Sequence, residues 1–325
     1  MSGAASEDPA VRLVSARPPV RTVFFGSGSF AVPILNALAA MPDVAVAAVV
    51  SAPDRPAGRR AVLTPTPVTS RACELGLPVL KPERVRRPES VDQIRALGPD
   101  LAVLADYGQL IPRALLDLPA RGFLNLHPSA LPRHRGAAPI AATILAGDTE
   151  SAVTLVVVTE EMDAGPIMAV EPLAVLPGDT AVTLEERAAE AAVRLLCRAL
   201  PEWLAGRLEA RAQPETAITL TKPLHREDGR LDPHRSAADL ERQVRAYQPW
   251  PGAHVETPEG RLIVWRAHVA ASEPGDVLGG LIAPGRNELA LSAGGGRLVL
   301  DEVQLAGGRR MSVAELLRGH PRVGR

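Results

Sequence analysis

Short apolar runs alternate with helix-length stretches over the first two-thirds of the chain. Thr22–Phe25 reads as a buried strand, and Gly26-Ser27-Gly28 turns it into a helix from Phe30 to Ala40. Val44–Val50, Pro78–Leu80, Leu101–Ala105 and Gly122–Leu126 read as further strands. Helices are predicted near Val68–Leu75 and at Ser90–Leu97, and the proline-rich stretch from Pro53 to Pro67 reads as loop. Strands and helices at this spacing predict an α/β domain with a parallel, doubly wound sheet. Ala137–Ala146 is then a helix, Val153–Val158 and Ile167–Leu173 are strands around a loop holding Asp163, and Thr183–Leu204 is an Ala-rich helix closing the domain. The pattern changes after Gly206. Gly252–Glu256, Arg261–Val269, Glu288–Ser292 and Arg297–Gln304 are short strands broken by Gly and Pro, which predicts a small β-barrel or sandwich. One helix, Ala237–Ala246, leads into it and a short one, Val313–Arg318, follows.

Composition narrows the picture. A chain of 325 residues predicts two domains. Aromatics make up only 3% of a chain that is 46% hydrophobic, so Ala, Val and Leu must build the cores. The net charge of −1 advertises no global attraction to nucleic acid, although a local patch can supply one. Cys73 and Cys197 have no metal-ligand spacing, which predicts neither a disulfide framework nor a metal site and fits a reducing, cytoplasmic setting. Residues 1–20 lack the apolar core of a secretory signal and are expected to form an unstructured tail. No run of about eighteen apolar residues exists, so no membrane partner is expected.

Three features carry chemistry. Asn125 and His127 lie two residues apart at a strand end and therefore share a face. Asp163, in a loop ending Ala164-Gly165-Pro166, can be aimed at them. An amide to hold an oxyanion, a base, and a carboxylate to orient that base suit acyl-type transfer to an amine. Gly26-x-Gly28-x-x-Ala31 after a strand fits the dinucleotide fingerprint, with Asp54 past the second strand. An NAD(P)-dependent oxidoreductase is thus an alternative, although the stiff Pro53-Asp54-Arg55-Pro56 loop suits a ribose hydroxyl poorly. Residues 53–97 hold nine Arg/Lys against five Asp/Glu, and Arg55, Arg59 and Arg60 stand among Pro and Gly. That loop is either a phosphate-binding element or a solvated surface segment. The loop and the barrel together leave a non-catalytic RNA-binding protein as another alternative, which would leave Asn125, His127 and Asp163 unexplained.

The ordered motifs resemble those of the methionyl-tRNA formyltransferases along nearly the whole chain. They are Val23–Gly26 with Phe30–Pro33, Pro53–Arg59, Pro67-Val68, Tyr107-Gly108, Asn125–Ser129, Leu131-Pro132 with Arg135–Ile140, Gly147-Asp148, Val153–Leu155, Met162–Gly165 and Arg245–Ala253. The central block is specific for formyltransferases that use 10-formyltetrahydrofolate. The Asp54–Arg59 loop and Pro249–Ala253 select the tRNA branch.

The resemblance implies a Rossmann-like catalytic domain over 21–206, free of dinucleotide, and an OB-like, tRNA-binding barrel over 207–325. It implies formyl transfer from 10-formyltetrahydrofolate to the methionine amine of initiator methionyl-tRNA, without metal, by a monomer. Asn125, His127 and Asp163 are the expected catalytic residues. Asp106, Tyr107, Gly108, Ser129, Ala130, Leu131 and Pro132 are expected around folate, and Arg55, Arg59 and Arg60 on tRNA. A folate-dependent sugar-amine formyltransferase is the nearest alternative. Gly28, Ala130, Asp106 and Thr69 depart from the family's usual residues, Thr69 by removing a positive charge expected on the tRNA side.

Overall fold

The computed structural model describes residues 18–57, 61–285, 287–320 and 322–323. Its first part runs β1 (Val20–Gly26), α1 (Ala31–Ala40), β2 (Val44–Val50), β3 (Arg55–Ala57), β4 (Val62–Thr64), α2 (Pro67–Glu74), β5 (Val79–Leu80), α3 (Pro88–Ala96), β6 (Leu101–Ala105) and α4 (Arg113–Leu116). It continues through β7 (Phe123–His127), β8 (Arg135–Gly136), α5 (Pro139–Ala146), β9 (Glu150–Val157), β10 (Ile167–Ala174) and α6 (Ala181–Leu204). Seven of these strands form one sheet in the order β10-β9-β7-β6-β1-β2-β5. The five from β7 to β5 are parallel, whereas β9 and β10 join antiparallel, so the sheet is parallel-rich.

The chain winds outward from β1 to β5 and then crosses back to lay β6 on the other side of β1. The crevice beyond the carboxyl ends of β1 and β6 is therefore the topological switch point, where open α/β sheets bind ligands. Each face of the sheet is covered. Phe24, Val103, Leu124 and Leu126 pack on one side with α1, α5 and α6; Phe25, Ala102 and Phe123 pack on the other with Val91, Ile94 and Leu115 of α3 and α4. Helix α6 buries Leu184, Ala188, Ala191, Leu195 and Ala199, a stripe at helical spacing, and a Thr180–Thr183 capping box starts it. Each fully buried leucine contributes about 1.5–3 kcal/mol.

Some details differ from the sequence pattern. Inside the Pro53–Pro67 stretch, β3 and β4 pair antiparallel, Arg55 opposite Thr64. A separate two-stranded ribbon tolerates Pro56 because no central ladder needs its missing N–H. Arg59 and Arg60 lie outside the described residues. The tail expected over 1–20 does so for 1–17, and Val20 already belongs to β1.

After α6 come β11 (Leu220–Thr221), α7 (Ala237–Ala246), β12 (His254–Thr257), β13 (Gly260–Ala270), β14 (Leu281–Ile282), β15 (Leu289–Ala293), β16 (Gly296–Leu305), β17 (Met311–Ser312) and α8 (Val313–Gly319). The antiparallel order is β12-β13-β16-β15-β14, with β17 added to β16. Among the described residues this ladder is open, so the barrel expected from the pattern is not closed by strand pairing. Its outermost strands, four residues in β12 and two in β14, offer too little edge for a continuous closing ladder. A second core of Leu240, Val244, Leu262, Leu291, Leu298 and Leu316 lies beneath this sheet. Helix α7 links the two parts: Leu240 and Val244 enter the second core, while Ala246 and Tyr247 enter the first. Arg245 Nη1 also donates to the Asp179 carbonyl at 2.9 Å.

Candidate active site

Strand β7 sits between β6 and β9, which pins its end on both sides. Asn125 is in register with Leu104 and Val156, and His127 with Thr154. Both side chains are buried, at 7% and 4% exposure. Just beyond, Ser129 Oγ donates to the Arg133 carbonyl at 2.7 Å, and Thr154 Oγ1 donates to the Ser129 carbonyl at 2.7 Å. Asp148 holds the following loop by accepting from Arg133 Nη2 at 2.6 Å and from the His134 ring at 2.8 Å. His134 has φ of +58°, and its carbonyl lies 3.0 Å from His127 Nε2. A carbonyl only accepts, so His127 Nε2 carries hydrogen and Nδ1 is the nitrogen that gains or loses the proton.

Asp163 comes from the β9–β10 loop with φ of +52°. Its Oδ1 accepts from Asn125 Nδ2 at 3.0 Å, its Oδ2 from the Gly136 amide at 2.9 Å, and Oδ2 lies 3.5 Å from His127 Nδ1. Gly136 is required there, because a Cβ would stand 2.4 Å from the Thr221 carbonyl oxygen and φ is +116°. The three residues singled out in the sequence therefore meet. One hydrogen of the Asn125 amide is committed to Asp163 and the other remains for a developing oxyanion. The carboxylate faces the nitrogen that would become positive.

The other expected residues fall into two neighbouring segments. Asp106, Tyr107 and Gly108 directly follow β6, and Ser129, Ala130, Leu131 and Pro132 follow β7, so both sit at the carboxyl ends of adjacent parallel strands. The Tyr107 ring is buried edge-on against Phe25, with centroids 5.5 Å apart. Arg55 is exposed on β3. Thr69 is not on the surface: it is buried in α2, where its amide donates to the capping Thr66 Oγ1. Among the described residues no cluster of three or more His, Cys, Asp or Glu could hold a metal, and no helix is long and apolar enough to cross a membrane. A surface cleft of about 610 Å³ between Ile167–Val170 and Gly206–Ala212 shares no lining residue with the Asn125–His127–Asp163 group.

Two family models match the chain: "Formyl transferase" over residues 20–200 and "Formyl transferase, C-terminal domain" over 223–321. Proteins named methionyl-tRNA formyltransferase are similar along almost their whole length. That of Myxococcus xanthus is 39% identical over 302 residues, 92% of this chain and 95% of the relative. That of Halorhodospira halophila is 42% identical over 299 residues, 92% and 96%. The chain belongs to the methionyl-tRNA formyltransferase family. Solved structures share the fold at lower identity. HypX from Aquifex aeolicus in complex with tetrahydrofolic acid has a TM-score of 0.60 at 17% identity, covering 92% of this chain and 47% of that one. The sugar 3N-formyl transferase WlaRD has a TM-score of 0.64 at 14% identity, covering 86% and 96%.

As a methionyl-tRNA formyltransferase family member, the chain is an enzyme that transfers a formyl group, and its glycine turn reads accordingly. In a dinucleotide site the amides of this turn would face a pyrophosphate. Here the Ser27 amide donates to the Asp106 carbonyl at 2.9 Å, and a Cβ on Gly28 would fall 1.7 Å from Asp106 Oδ2. A carboxylate thus occupies the space beside Gly28 and would repel a phosphate. Asp54, the other half of the fingerprint, is paired with Lys81 Nζ at 2.7 Å. Two of the departures from the family pattern explain each other: Asp106 fits only because residue 28 has no side chain.

Desolvation of the carboxyl pushes Asp106 up from 3.8 to about 6, with the Glu185 carboxylate adding to the effect, although the residue as a whole is exposed. The folded protein therefore holds the proton more tightly than the unfolded chain, and stability contributed by this group falls as pH rises from about 3.8 to about 6. Asp106→Asn is expected to raise the thermal unfolding midpoint at pH 7.5, with the gain shrinking steadily toward pH 4. Thermal melts across that range check this; a gain independent of pH would show that folding does not tighten the carboxyl's hold on its proton.

Proposed function

We propose that this chain transfers the formyl group of 10-formyltetrahydrofolate to the α-amino group of methionine on initiator methionyl-tRNA, in the cytoplasm. The observation that carries the chemistry is the meeting of Asn125, His127 and Asp163 through contacts of 3.0 and 3.5 Å at the end of β7. Full-length similarity to proteins named for methionyl-tRNA supports the acceptor. In this reading the neutral amine attacks the formyl carbon and the carbonyl electrons move to oxygen. The free N–H of Asn125 donates to that oxyanion. His127 takes the proton leaving the amine at Nδ1, Asp163 stabilises the resulting imidazolium, and the proton passes to departing N10 as the C–N10 bond breaks. The products are formylmethionyl-tRNA and tetrahydrofolate.

Folate is assigned to Asp106–Gly108 and Ser129–Pro132, the two segments at the carboxyl ends of β6 and β7. The acceptor end of tRNA is assigned to the basic segment of Arg55, Arg59 and Arg60, and the C-terminal open sheet, read as an OB-like module, holds more of the tRNA. Incubating the protein with formyl donor and charged initiator tRNA, and measuring formylmethionine, tests the reading. Acceptance of a sugar-nucleotide amine in place of charged tRNA would overturn it in favour of the sugar-amine class.

Arg59 and Arg60 replaced together by Ala are expected to raise KM for charged tRNA and flatten its salt dependence, by about one unit of counterion-release slope per lost phosphate contact. KM for the formyl donor should change little. Steady-state kinetics across a salt series measures both. Normal tRNA binding at every salt concentration would return the loop to a solvated surface segment.

A further inference from the structure

The segment joining the two parts of the chain threads through the active site. Arg211 exchanges two backbone hydrogen bonds with Ile167, at 2.7 and 2.8 Å. Thr219 accepts from the His134 amide on its Oγ1 at 2.7 Å and from the Arg135 amide on its carbonyl at 3.0 Å. Strand β11 then pairs with β8, Leu220 beside Arg135 and Thr221 beside Gly136. Between these contacts stands Gln213. Its Nε2 donates to the carbonyls of Asp163 at 2.7 Å and Gly165 at 2.8 Å, and its Oε1 accepts from the buried Arg135 guanidinium, Nε at 3.0 Å and Nη2 at 2.8 Å.

We propose that Gln213 is a positioning residue for formyl transfer: its amide ties the Asp163 loop to Arg135 and so aims the Asp163 carboxylate at Asn125, His127 and the Gly136 amide. The loop needs an external tie. Asp163 occupies the left-handed region at φ of +52°, a conformation that persists only where surrounding contacts impose it. Gly165 is packed so closely that a Cβ would lie 1.8 Å from the Val157 carbonyl oxygen. Gln213 meets that backbone on both sides of Ala164 with a two-hydrogen donor, and its oxygen faces the one partner that must be fed an acceptor. A carboxamide alone among side chains offers two donors and an acceptor in one plane. Arg135 and Gly136 are consecutive, so the same tie sets the loop that supplies the Gly136 amide to Asp163.

The inference rests on the formyl-transfer reading, and its test separates the two. Gln213→Ala and Gln213→Glu are compared with wild type by single-turnover formylation of charged tRNA and by hydrogen exchange of residues 159–166. Glu keeps the acceptor for Arg135 but, ionised, cannot donate to the two carbonyls. Both variants are expected to lose about 10- to 100-fold in rate through misplacement of the reacting groups, with KM for donor and tRNA nearly unchanged. Both should exchange faster at 159–166. In an Asp163→Ala background the further loss should fall below about threefold, because Gln213 acts through Asp163. Wild-type rate in either variant, or the full loss persisting without the Asp163 carboxylate, would overturn the inference. If wild type formylates no charged tRNA, the functional reading falls, and the exchange data alone decide whether Gln213 holds the loop.

Discussion

Asn125→Ala and His127→Ala are each expected to slow formyl transfer by about a hundredfold or more while the chain still folds. Loss of one preorganised oxyanion donor costs about 10²–10³ in rate, or roughly 2.7–4 kcal/mol of transition-state stabilisation. Asn125 is held for that role: the strand fixes its backbone, and Asp163 Oδ1 at 3.0 Å fixes its amide plane. His127 is fixed equally from the His134 carbonyl at 3.0 Å. Asn125→Ala also leaves Asp163 Oδ1 without this donor, which should cost stability on the order of 1–3 kcal/mol. The double variant should lose less than the product of the two single losses, since both groups serve one transition state. Single-turnover rates with saturating donor and charged tRNA measure this. Near-wild-type rates in a single variant would remove that residue from the mechanism, and a fully multiplicative double loss would deny the shared role.

Where the fold was readable in the sequence, the reason was local. Val44–Val50, Leu101–Ala105 and Ala237–Ala246 have the bounds their hydrophobic patterns predict, because apolar runs mark the two strands and apolar residues at helical spacing mark the helix. The Asn125–His127 pair was readable for the same reason, as two positions on one face of an apolar strand. What escaped has a different origin. The four-residue α4 is barely one turn long, too short to repeat its period, and the β3–β4 ribbon is hidden by proline. The His134 carbonyl that fixes the His127 tautomer is a backbone atom turned by a positive φ, with no signature in residue type. Gln213 lies 50 residues from Asp163 in a stretch with neither period nor charge run, and the Arg211–Ile167 bridge together with the pairing of β11 with β8 brings it to the site. Asp106 and Gly28 were visible as separate departures from the family pattern, and their mutual fit required three dimensions.

Asp163→Asn should abolish most turnover while sparing the formyl donor's binding. The carboxylate faces three donors or would-be donors: Asn125 Nδ2 at 3.0 Å, the Gly136 amide at 2.9 Å and His127 Nδ1 at 3.5 Å. Two acceptor oxygens suit that convergence. An asparagine has one oxygen, and its NH₂ must point at Asn125 or at Gly136, donor against donor. Whichever orientation it takes, it turns the Asn125 amide or displaces the 134–136 loop, and it carries no charge to stabilise the imidazolium formed as His127 takes the amine proton. The two segments assigned to folate are held by other contacts, Ser129 to Arg133 and Thr154 at 2.7 Å each, so KM for the donor should stay within a small factor. The rate loss should therefore appear in kcat, at about a hundredfold or more. A variant with wild-type kcat would make Asp163 a structural residue, and the proton path would have to run through His127 alone.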